Sequence, residues 1–577
     1  MRILLTMTGS WGTGSGTVVE ALAAGFAARG HAVCVLHPEN READGGAMAG
    51  DDASIASAAE TVVWPFPVQE GDVVLPHFPL MITDPNPRAP DGAWTYGDMS
   101  GAERALFVRR FGERLRSTVE AFQPDVIECQ HVWLMAWVAR EMGLPYFAAA
   151  HHSDQMAFQR DVATAPYARL AALGAERIFA LLEPGKRQIV ELYGVAPDRV
   201  TVLGNGYDRQ AFFPAEGHRQ AVLDAHGLEV PSGAPLVTFA GKLSGTKGID
   251  VLLEANGLLR ARMADPPHFL VFGTGRLEAA LDATKEASGA YVRDGFHLLG
   301  HQPYEALRDA HHVAKLSVMP SRSEGFGLAA LEAMGCGLPV VCSNLGGLDT
   351  VTVGGTAEPG DAHSLADAIQ RVLEQPPEAH RAMCADALAV AQTFSWDEIV
   401  ERRLALYADL PPLPAPRPLP PHLGAAERRA SADVAPLRTA VLRPTWTDRL
   451  ATYPEDDAPS TIHMAVFRDG EVAAVATVYP EAPPADLPIP AAAQAPGAAF
   501  RLRGMASAPD VRGEGYGAEV LRGCLREIGR AGGTYLWCNA RVAALAFYER
   551  MGLRAVGPEF DITGIGPHYV MWRSLGS

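Results

Sequence analysis

The stretch 323–341, SEGFGLAALEAMGCGLPVV, places two glutamates eight positions apart, one beside a glycine turn and one inside an apolar run. It follows SVMP, which is typical of a strand end, and LAALEAMGCG predicts a helix that ends at glycines. At ~3.6 residues per turn, eight residues span slightly over two turns, so Glu324 and Glu332 lie on similar faces. A buried carboxylate without a partner is costly, so the pair predicts a ligand that donates hydroxyl groups.

Short apolar strands alternate with helical stretches on both sides of this motif. The strands are RILLTM, HAVCVL, DVIECQ, PYFAAA and RIFALL, and then, from about residue 235, APLVTFAG, HFLVFGTG, FHLLGH, AKLSVMP and LPVVCS. This alternation predicts an α/β protein with two doubly wound, Rossmann-like domains in tandem. Ligands of such sheets bind at the carboxyl ends of the strands, so we expect a site in the cleft between the two domains.

A proline-rich segment, LPPLPAPRPLPPHLGAAERRASADVAPL, follows the second domain and is predicted to be an extended linker. After it, HMAVFRDGEVAAVATVYPE indicates a hairpin that turns at Asp469-Gly470, and a helix begins near residue 515. We therefore predict a first domain at 1–205, a second at 206–408, a linker at 409–436 and a small α+β domain at 437–577.

Composition excludes several classes of protein. The 577 residues carry a net charge of −18 with no dominant basic patch, which argues against a nucleic-acid partner. Seven scattered cysteines without a C-x-x-C pair indicate reduced thiols rather than disulfides or a zinc site. No apolar stretch reaches membrane-spanning length, and MRILLTMTGSWG is too short for a signal peptide. We expect a soluble, cytoplasmic protein without an integral membrane segment.

Three glycine-rich turns follow predicted strands. GSWGTGSG places Gly14 and Gly16 before a helix, whose N-terminus attracts anions, although a tight turn accounts for these glycines equally well. FAGKLSGTKG brings Lys242 and Lys247 near a helix N-terminus, which suits a diphosphate better than two solvated lysines at this position. SRSEGFG frees backbone N–H groups over Gly325, Phe326 and Gly327.

Together these motifs resemble the retaining GT-B glycosyltransferases of family 4 type, the glycosyl transferases group 1. The matching pieces span residues 1–408 and are GTGSG, FAGKLSGTKG, VLGNGYDRQAFFP, LVFGTGR and EGFGLAALE. The resemblance implies a nucleotide-sugar donor, first of all a UDP-sugar, with no metal required. It also implies retention of configuration, in which the leaving diphosphate helps to take the acceptor's proton.

Residue roles follow from the same resemblance. Glu324 would contact donor-sugar hydroxyls, and Glu332 would hold the ribose unless it caps a helix or forms a salt bridge. Lys242 and Lys247 would hold the diphosphate, with Lys242 in place of the usual arginine. In AHHSD, which resembles T-H-G-T-D, His151 falls on the histidine that lines the acceptor side near the anomeric carbon.

Two further residues and a basic helix are weaker candidates. His131 in CQHVW and Asn205 in GNGYD also follow strands and are predicted to face the cleft.

The layout of the first two domains is similar to that of enzymes of low-molecular-weight thiol synthesis, which move N-acetylglucosamine from UDP to malate or an inositol phosphate. RALFVRRFGERLR offers arginines for an anionic acceptor or a peripheral membrane contact, but a solvated face balanced by Glu113 is favoured.

The C-terminal part carries MASAPDVRGEGYGAEVLRGCLREIGRAGG and then LWCNARVAALAFYERMGLRAVG. This pair resembles the GNAT N-acetyltransferases over 437–577. The resemblance implies that acetyl-CoA binds through its pyrophosphate to Arg512, Gly513, Gly515, Tyr516 and Gly517. Tyr548 would protonate the leaving thiolate, unless it is a core tyrosine, and Asn539 would face the pantetheine arm. Leu553 replaces the family's last aromatic residue. The resemblance does not identify a general base, for which Glu559 and His568 are the candidates.

The sequence therefore predicts a bifunctional enzyme that acts on small-molecule substrates. One part transfers a hexose to a small or lipid-linked acceptor, and the other acetylates an amine, with an amino sugar as the hypothetical link. One alternative is a C-terminal module that binds acetyl-CoA for regulation without turnover. The other is a GT-B nucleotide-sugar epimerase or a phosphorylase, although no motif for a pyridoxal-phosphate lysine is apparent.

Overall fold

Three large sheets organise the chain. The computed structural model describes residues 1–8, 14–40, 59–81, 94–161, 164–275, 294–345, 347–408, 410–420, 422–468, 470–563 and 565–575. Within these residues, each large sheet collects strands from one continuous part of the chain, at 2–202, 236–357 and 427–574. A separate two-stranded hairpin is formed by residues 68–75, which belong to the first of these three parts of the chain.

The first sheet is parallel throughout, with strand order β3-β2-β1-β6-β7-β8-β9. Its strands are β1 (Arg2–Thr6), β2 (Ala32–Asn40), β3 (Glu60–Phe66), β6 (Val126–Gln130), β7 (Phe147–Ala149), β8 (Arg177–Ala180) and β9 (Val200–Val202). The separate hairpin consists of β4 (Val68–Glu70) and β5 (Val73–Leu75). The helices are Gly14–Ala28, Gly101–Phe122, Leu134–Glu141, Ser153–Arg160, Ala165–Gly174 and Glu183–Tyr193. Successive residues of β1 are fully buried, as expected for a strand covered by helices on both faces.

The second sheet is also parallel, in the order β12-β11-β10-β13-β14-β15. Its strands are β10 (Leu236–Ala240), β11 (His268–Phe272), β12 (Phe296–Gly300), β13 (Leu316–Met319), β14 (Val340–Ser343) and β15 (Gly354–Ala357). The helices that follow the first sheet are Arg219–Ala225, Ile249–Arg262, Tyr304–Val313, Leu328–Gly335, Ala362–Leu373, Pro377–Gln392 and Trp396–Tyr407. The prediction of two doubly wound domains is confirmed.

The helix Trp396–Tyr407 crosses back to the first domain, although it falls within the predicted second one. The ring of Tyr407 lies 5.9 Å from that of Phe26, centroid to centroid. Arg403 Nε donates to Glu128 Oε2 over 3.2 Å, and both side chains are buried. The amphipathic pattern of this helix predicts a buried face but not the sheet that the face covers.

The third sheet is mixed, in the order β16-β17-β18-β19-β20-β22-β21, and confirms the predicted α+β class. Its strands are β16 (Glu427–Arg429), β17 (Ile462–Arg468), β18 (Glu471–Pro480), β19 (Ala499–Ser507), β20 (Tyr535–Arg541), β21 (Arg554–Ile562) and β22 (Gly566–Ser574). Its helices are Ser431–Leu442, Tyr516–Arg530 and Leu545–Arg550. The predicted hairpin is β17–β18; Gly470 has φ +83°, and Asp469 lies outside the described residues.

The proline-rich segment differs from the predicted linker in two respects. It lies against the first domain, where Arg116 donates to the carbonyl oxygens of Pro416 and Arg417 at 3.1 and 2.7 Å. The Arg417 N–H in turn donates to Met142 O over 2.8 Å. The third domain starts before residue 437, because β16 and the helix Ser431–Leu442 already belong to it. The interior Pro436 made that helix look like a loop.

Four of the five arginines in the helix Gly101–Phe122 contact other groups of the protein: Arg104, Arg109, Arg110 and Arg116. Arg104 is buried and donates to Met99 O over 2.9 Å. Arg109 and Arg110 pair with the two carboxylate oxygens of Glu70 at 2.6 and 2.9 Å. Among the described helices, none combines the length and apolar character that a membrane span needs.

Candidate active sites

A cavity of about 440 Å³ opens between the carboxyl ends of the first two sheets. Its walls come from turns that directly follow strands: Thr8 after β1, His151 after β7, Lys242 after β10 and Ser321 after β13. Glu324, Lys247 and the turn Gly325–Gly327 also line it. The structure thus brings most of the predicted donor-side residues together in the cleft.

Glu324 and Lys247 form an ion pair in this cavity. Lys247 Nζ lies 2.6 Å from Glu324 Oε2, and the Glu324 side chain is 11% exposed. The second oxygen, Oε1, accepts the Gly325 N–H over 3.1 Å. Burial alone would raise the pKa of Glu324, but Lys247 and the Gly325 N–H together lower it below its ordinary value. The carboxylate is therefore ionised at neutral pH and can accept hydrogen bonds from sugar hydroxyls.

Backbone contacts between two loops bring the pair together. The Arg322 N–H donates to Thr246 O over 2.8 Å and joins the two loops. Within the lysine loop, Ser244 Oγ accepts the Lys247 N–H over 3.4 Å. Gly248 has φ +69°, and a Cβ there would lie 1.9 Å from Pro320 O. Only glycine fits this crossing of the two loops, which explains the glycine after the lysine.

Glu332 occupies the same face of its helix as Leu328 and Ala329, which line the cavity, although Glu332 itself does not. It is half-buried, and its carboxylate has no hydrogen-bond or ion-pair partner among the described residues. Burial raises the pKa of Glu332 to about 7. A helix-cap or salt-bridge role has no support in these contacts, and the role in holding ribose stays a prediction.

A chain of buried polar groups fixes the ring of His151. Gln130 Nε2 donates to Glu128 Oε1 over 2.7 Å, which turns Gln130 Oε1 toward His151 Nε2, also at 2.7 Å. His151 therefore carries its proton on Nε2 and a lone pair on Nδ1. Burial, the neighbouring His131 and then Arg403 hold the pKa of His151 well below its ordinary value, so the ring is neutral.

His131 packs beside it, with ring centroids 4.6 Å apart and ring planes tilted by 49°, and its Nε2 lies 3.1 Å from Ser153 Oγ. Burial lowers the pKa of His131 to about 3. Asp154, which the sequence prediction did not single out, accepts the N–H groups of Val132 and His151 at 3.0 and 3.1 Å. It anchors both histidine-bearing turns, and its place in AHHSD was the available signal.

His152 is a further site residue that sequence reasoning missed. It has φ +70°, at the position where the resembling pattern T-H-G-T-D has glycine. Its Nε2 lies 2.9 Å from Ser323 Oγ, so the first domain contacts the glutamate turn of the second across the cleft. The positive φ was not visible in the sequence, because a histidine gives no sign of it.

The other residues predicted to bind ligand or face the cleft differ in whether they line the cavity. Gly14 and Lys242 line the cavity, and so does Asn205, whose buried Oδ1 has no hydrogen-bond partner among the described residues. Gly16 is buried in the helix that Gly14 begins and does not line the cavity. Residues 9–13 of the glycine turn lie outside the described residues.

The third sheet opens between β19 and β20. These parallel strands pair only at Ala499–Arg501 with Tyr535–Trp537, and their carboxyl-terminal halves separate. The turn Arg512–Gly517 follows β19 and leads into the helix Tyr516–Arg530. Such a gap, with a helix N-terminus beside it, can admit an extended ligand that carries a pyrophosphate.

The turn has the backbone that its glycines predict. Gly513 and Gly515 have φ +86° and +96°, and the N–H groups of both have no acceptor among the described residues. Arg512, Gly513, Gly515 and Gly517 line a cavity of about 410 Å³. Tyr516 does not line it; its ring is buried and stacks on His422, with centroids 3.8 Å apart.

Tyr548 lies at the opening between β19 and β20. Its hydroxyl contacts Met505 Sδ at 3.6 Å, on the half of β19 that pairs with β18 but not with β20. Burial raises the pKa of Tyr548 well above its ordinary value. Asn539 is half-buried on β20 without a side-chain partner among the described residues. His568 is buried and donates from Nδ1 to Gly566 O over 2.6 Å, whereas Glu559 is exposed.

Three family models match the chain. Residues 13–206 match the glycosyl transferase 4-like domain, residues 225–387 match glycosyl transferases group 1, and residues 432–553 match the acetyltransferase (GNAT) family. A D-inositol 3-phosphate glycosyltransferase 1 of Catenulispora acidiphila is 33% identical over 49% of this chain and 72% of its own length. A D-inositol 3-phosphate glycosyltransferase of Thermomonospora curvata is 33% identical over 48% and 70%.

Solved structures agree on the fold. A sucrose-phosphate synthase of Thermosynechococcus elongatus covers 71% of this chain and 98% of its own, with a TM-score of 0.52 and 20% identity. The Anabaena protein HepE in complex with UDP covers 71% of this chain and all of its own, with a TM-score of 0.51 and 18% identity.

Two facing doubly wound domains with a glutamate–lysine cleft define a GT-B glycosyltransferase. The chain belongs to the glycosyl transferases group 1, of family 4 type, and it carries a C-terminal domain of the GNAT family.

Proposed function

We propose that the first two domains transfer N-acetylglucosamine from UDP to D-inositol 3-phosphate with retention of configuration, and that the third acetylates an amine with acetyl-CoA. The ionised Glu324, paired with Lys247 in the cleft, is the observation that carries the first part. The names of the curated relatives support the acceptor, and the resemblance to thiol-pathway enzymes supports the donor.

The cleft residues account for departure of the nucleoside diphosphate. As the bond between the anomeric carbon and the phosphate oxygen breaks, negative charge grows on the diphosphate. Lys247 has three donors, so it can keep Glu324 and still serve a phosphate oxygen. The N–H groups at the turn before Leu328 add a helix N-terminus to this charge stabilisation.

Retention follows if the acceptor hydroxyl attacks the face that the diphosphate leaves. The new bond joins the acceptor oxygen to the anomeric carbon, and the hydroxyl proton passes to the departing phosphate oxygen. His151 lies on the acceptor side, and its lone pair on Nδ1 can orient the acceptor hydroxyl. Because the ring is neutral, it does not compete with Lys247 for the negative charge of the diphosphate.

Glu332 predicts a pH dependence of donor binding. A carboxylate accepts both ribose hydroxyls best when ionised, and the pKa of Glu332 is raised to about 7. We therefore expect UDP to bind up to about tenfold more tightly as pH rises from about 6 to about 8. Because the raised pKa opposes ionisation in the folded state, Glu332's contribution to stability should fall over the same window.

Titration calorimetry with UDP at several pH values measures this effect, and Glu332→Gln is the control. UDP ionises near the same pH, but that effect is common to both proteins. The ratio of the two dissociation constants should change with pH. A ratio that stays constant would remove Glu332 from the ribose site.

The acetyl-transfer part rests on three features of the third domain: the gap between β19 and β20, the positive-φ glycine turn and the partly buried Tyr548. Acetyl-CoA supplies an activated acetyl thioester when bound. The turn offers N–H groups to its pyrophosphate, and Tyr548 holds a proton for the leaving thiolate. An amino sugar that both sites handle would explain the fusion.

The test is to incubate the full chain with UDP-N-acetylglucosamine and D-inositol 3-phosphate, and to measure the anomeric proton of the product by NMR. The small coupling of an α-linkage is expected. A β-linked product would contradict retention, and sugar interconversion without an acceptor would indicate an epimerase. Acetyl-CoA that alters glycosyl transfer without acetylating any amine would favour a regulatory third domain.

A further inference from the structure

A second cavity, of about 510 Å³, lies where the first and third domains meet. The first domain contributes residues from its helices Ala165–Gly174 and Glu183–Tyr193, including Arg169. The third contributes Arg522 from the helix Tyr516–Arg530, and other residues from the end of the helix Leu545–Arg550 and from β22. Both halves of the chain therefore build this cavity.

Arginine dominates its lining. Five arginines and two glutamates line the cavity, a difference of three positive charges. The arginines are Arg169, Arg522, Arg550, Arg554 and Arg573. Among the described residues only Arg522 of the five forms an ion pair, with Glu519 at 2.9 Å. The glutamates of the lining, Glu191 and Glu549, neutralise none of the others through an ion pair in that part of the chain.

Donor groups of these arginines are left unused. The Nε atoms of Arg169 and Arg522 are buried, with no hydrogen-bond acceptor in the part of the chain that the structure describes, and Arg522 is only 8% exposed. Burial lowers the pKa of Arg573 to about 10, and Arg169 adds to the shift. Burial likewise lowers the pKa of Arg169, and Arg554 adds to it. The cavity thus gathers cations at a cost that a bound anion would offset.

The arginine cavity continues into the cavity beside the glycine turn. The two share Leu170, Arg522, Arg550 and Met551. Arg140 and Leu170 of the first domain also line the turn's cavity. Arg522 lies where the two cavities join, and it also contacts the first domain, because its guanidinium lies 5.6 Å from the ring centroid of Trp137.

We propose that the arginine cavity binds the 3′-phosphate on the adenosine of acetyl-CoA, so that the first glycosyltransferase domain completes the acetyl-donor site. The inference rests on the proposed acetyltransferase function. In coenzyme A the ribose with this phosphate is attached directly to the pyrophosphate, so a pyrophosphate on the glycine turn carries the phosphate monoester toward the adjoining cavity. Guanidinium forks match the oxygens of such a dianion.

The test compares coenzyme A with 3′-dephospho-coenzyme A, by titration calorimetry on the full chain. We expect the wild-type protein to bind coenzyme A at least about tenfold more tightly, the order that one charge-assisted contact supplies. In Arg169→Met the preference should fall severalfold, while the affinity for the dephospho form stays unchanged. Arg554→Met, at an exposed position, should act in the same direction. Arg209→Met, exposed and outside the cavity, should keep the wild-type preference.

The outcomes separate this inference from the proposed function. Equal affinities for both ligands in the wild-type protein would overturn the phosphate site and leave the acetyltransferase proposal intact. A preference that both cavity variants retain would place the 3′-phosphate elsewhere and also overturn it. Binding of neither ligand would refute the acetyl-CoA site, and the inference with it. Inorganic phosphate that binds without weakening coenzyme A would assign the cavity to a separate phosphorylated ligand.

Discussion

Lys247→Met is expected to lower kcat for glycosyl transfer by about 10²–10³-fold. The substitution removes the cation that faces the departing diphosphate but keeps a side chain of similar length. We expect the loss of activity mainly in kcat rather than in KM, because the charge on the diphosphate grows only as the bond to the anomeric carbon breaks. Steady-state release of UDP at saturating acceptor measures the effect. Lys186→Met, which lies outside the cavity, is the matched control.

Stability must be separated from catalysis in this variant. Without Lys247, Glu324 remains buried with no cation, so we expect the free energy of unfolding to fall by about 1–3 kcal/mol. The double variant Lys247→Met/Glu324→Gln removes both charges and should recover most of that stability without recovering activity. Near-wild-type kcat in either variant would contradict the assigned roles.

Tyr548→Phe is expected to lower kcat for acetyl transfer by about 10²-fold and to leave the affinity for coenzyme A unchanged. The variant removes the hydroxyl that would protonate the leaving thiolate. Because burial raises the pKa of Tyr548 well above its ordinary value, that hydroxyl keeps its proton throughout the neutral range. Thiol release from acetyl-CoA, followed with a disulfide reagent, measures the rate.

Tyr535→Phe provides the comparison for this second prediction. Tyr535 begins β20 and packs beside Trp572, with ring centroids 6.2 Å apart, away from the gap in the sheet. It should leave kcat and coenzyme A affinity as in the wild type. If Tyr548→Phe turns over normally, Tyr548 is a packing residue and another group must supply the proton.

The fold was largely predictable because buried parallel strands appear in the sequence as short apolar runs. β1, β10 and β13 are runs of this kind, and each is followed in the sequence by a segment rich in glycine or serine. β15, with the sequence GGTA, has no such run and takes its conformation from pairing with β14. Strands that depend on a neighbour rather than on their own residues give little local signal.

The site was predictable where a motif fixes a loop and unpredictable where two loops meet. The glutamate turn and the lysine turn were both identified, but their direct ion pair depends on how the two loops cross. The contact of His152 with Ser323 joins two domains and has no counterpart in local spacing. The same applies to Gln130, which selects the proton position of His151 from within the first sheet.

Contacts between the two halves of the chain were missed for a related reason. A run of prolines predicts an extended segment, but it does not show whether that segment is solvated or packed. Here Arg116 and Met142 hold it against the first domain. The arginine cavity exists only because the third domain is held in that place.

Release of UDP from UDP-N-acetylglucosamine by the full chain, with and without D-inositol 3-phosphate, tests the central claim most directly. The account predicts that the acceptor accelerates release and that Glu324→Gln abolishes the acceleration while the protein remains folded. Acceptor-independent release that is equal in both proteins would contradict it, as would no release from any UDP-, GDP- or ADP-hexose.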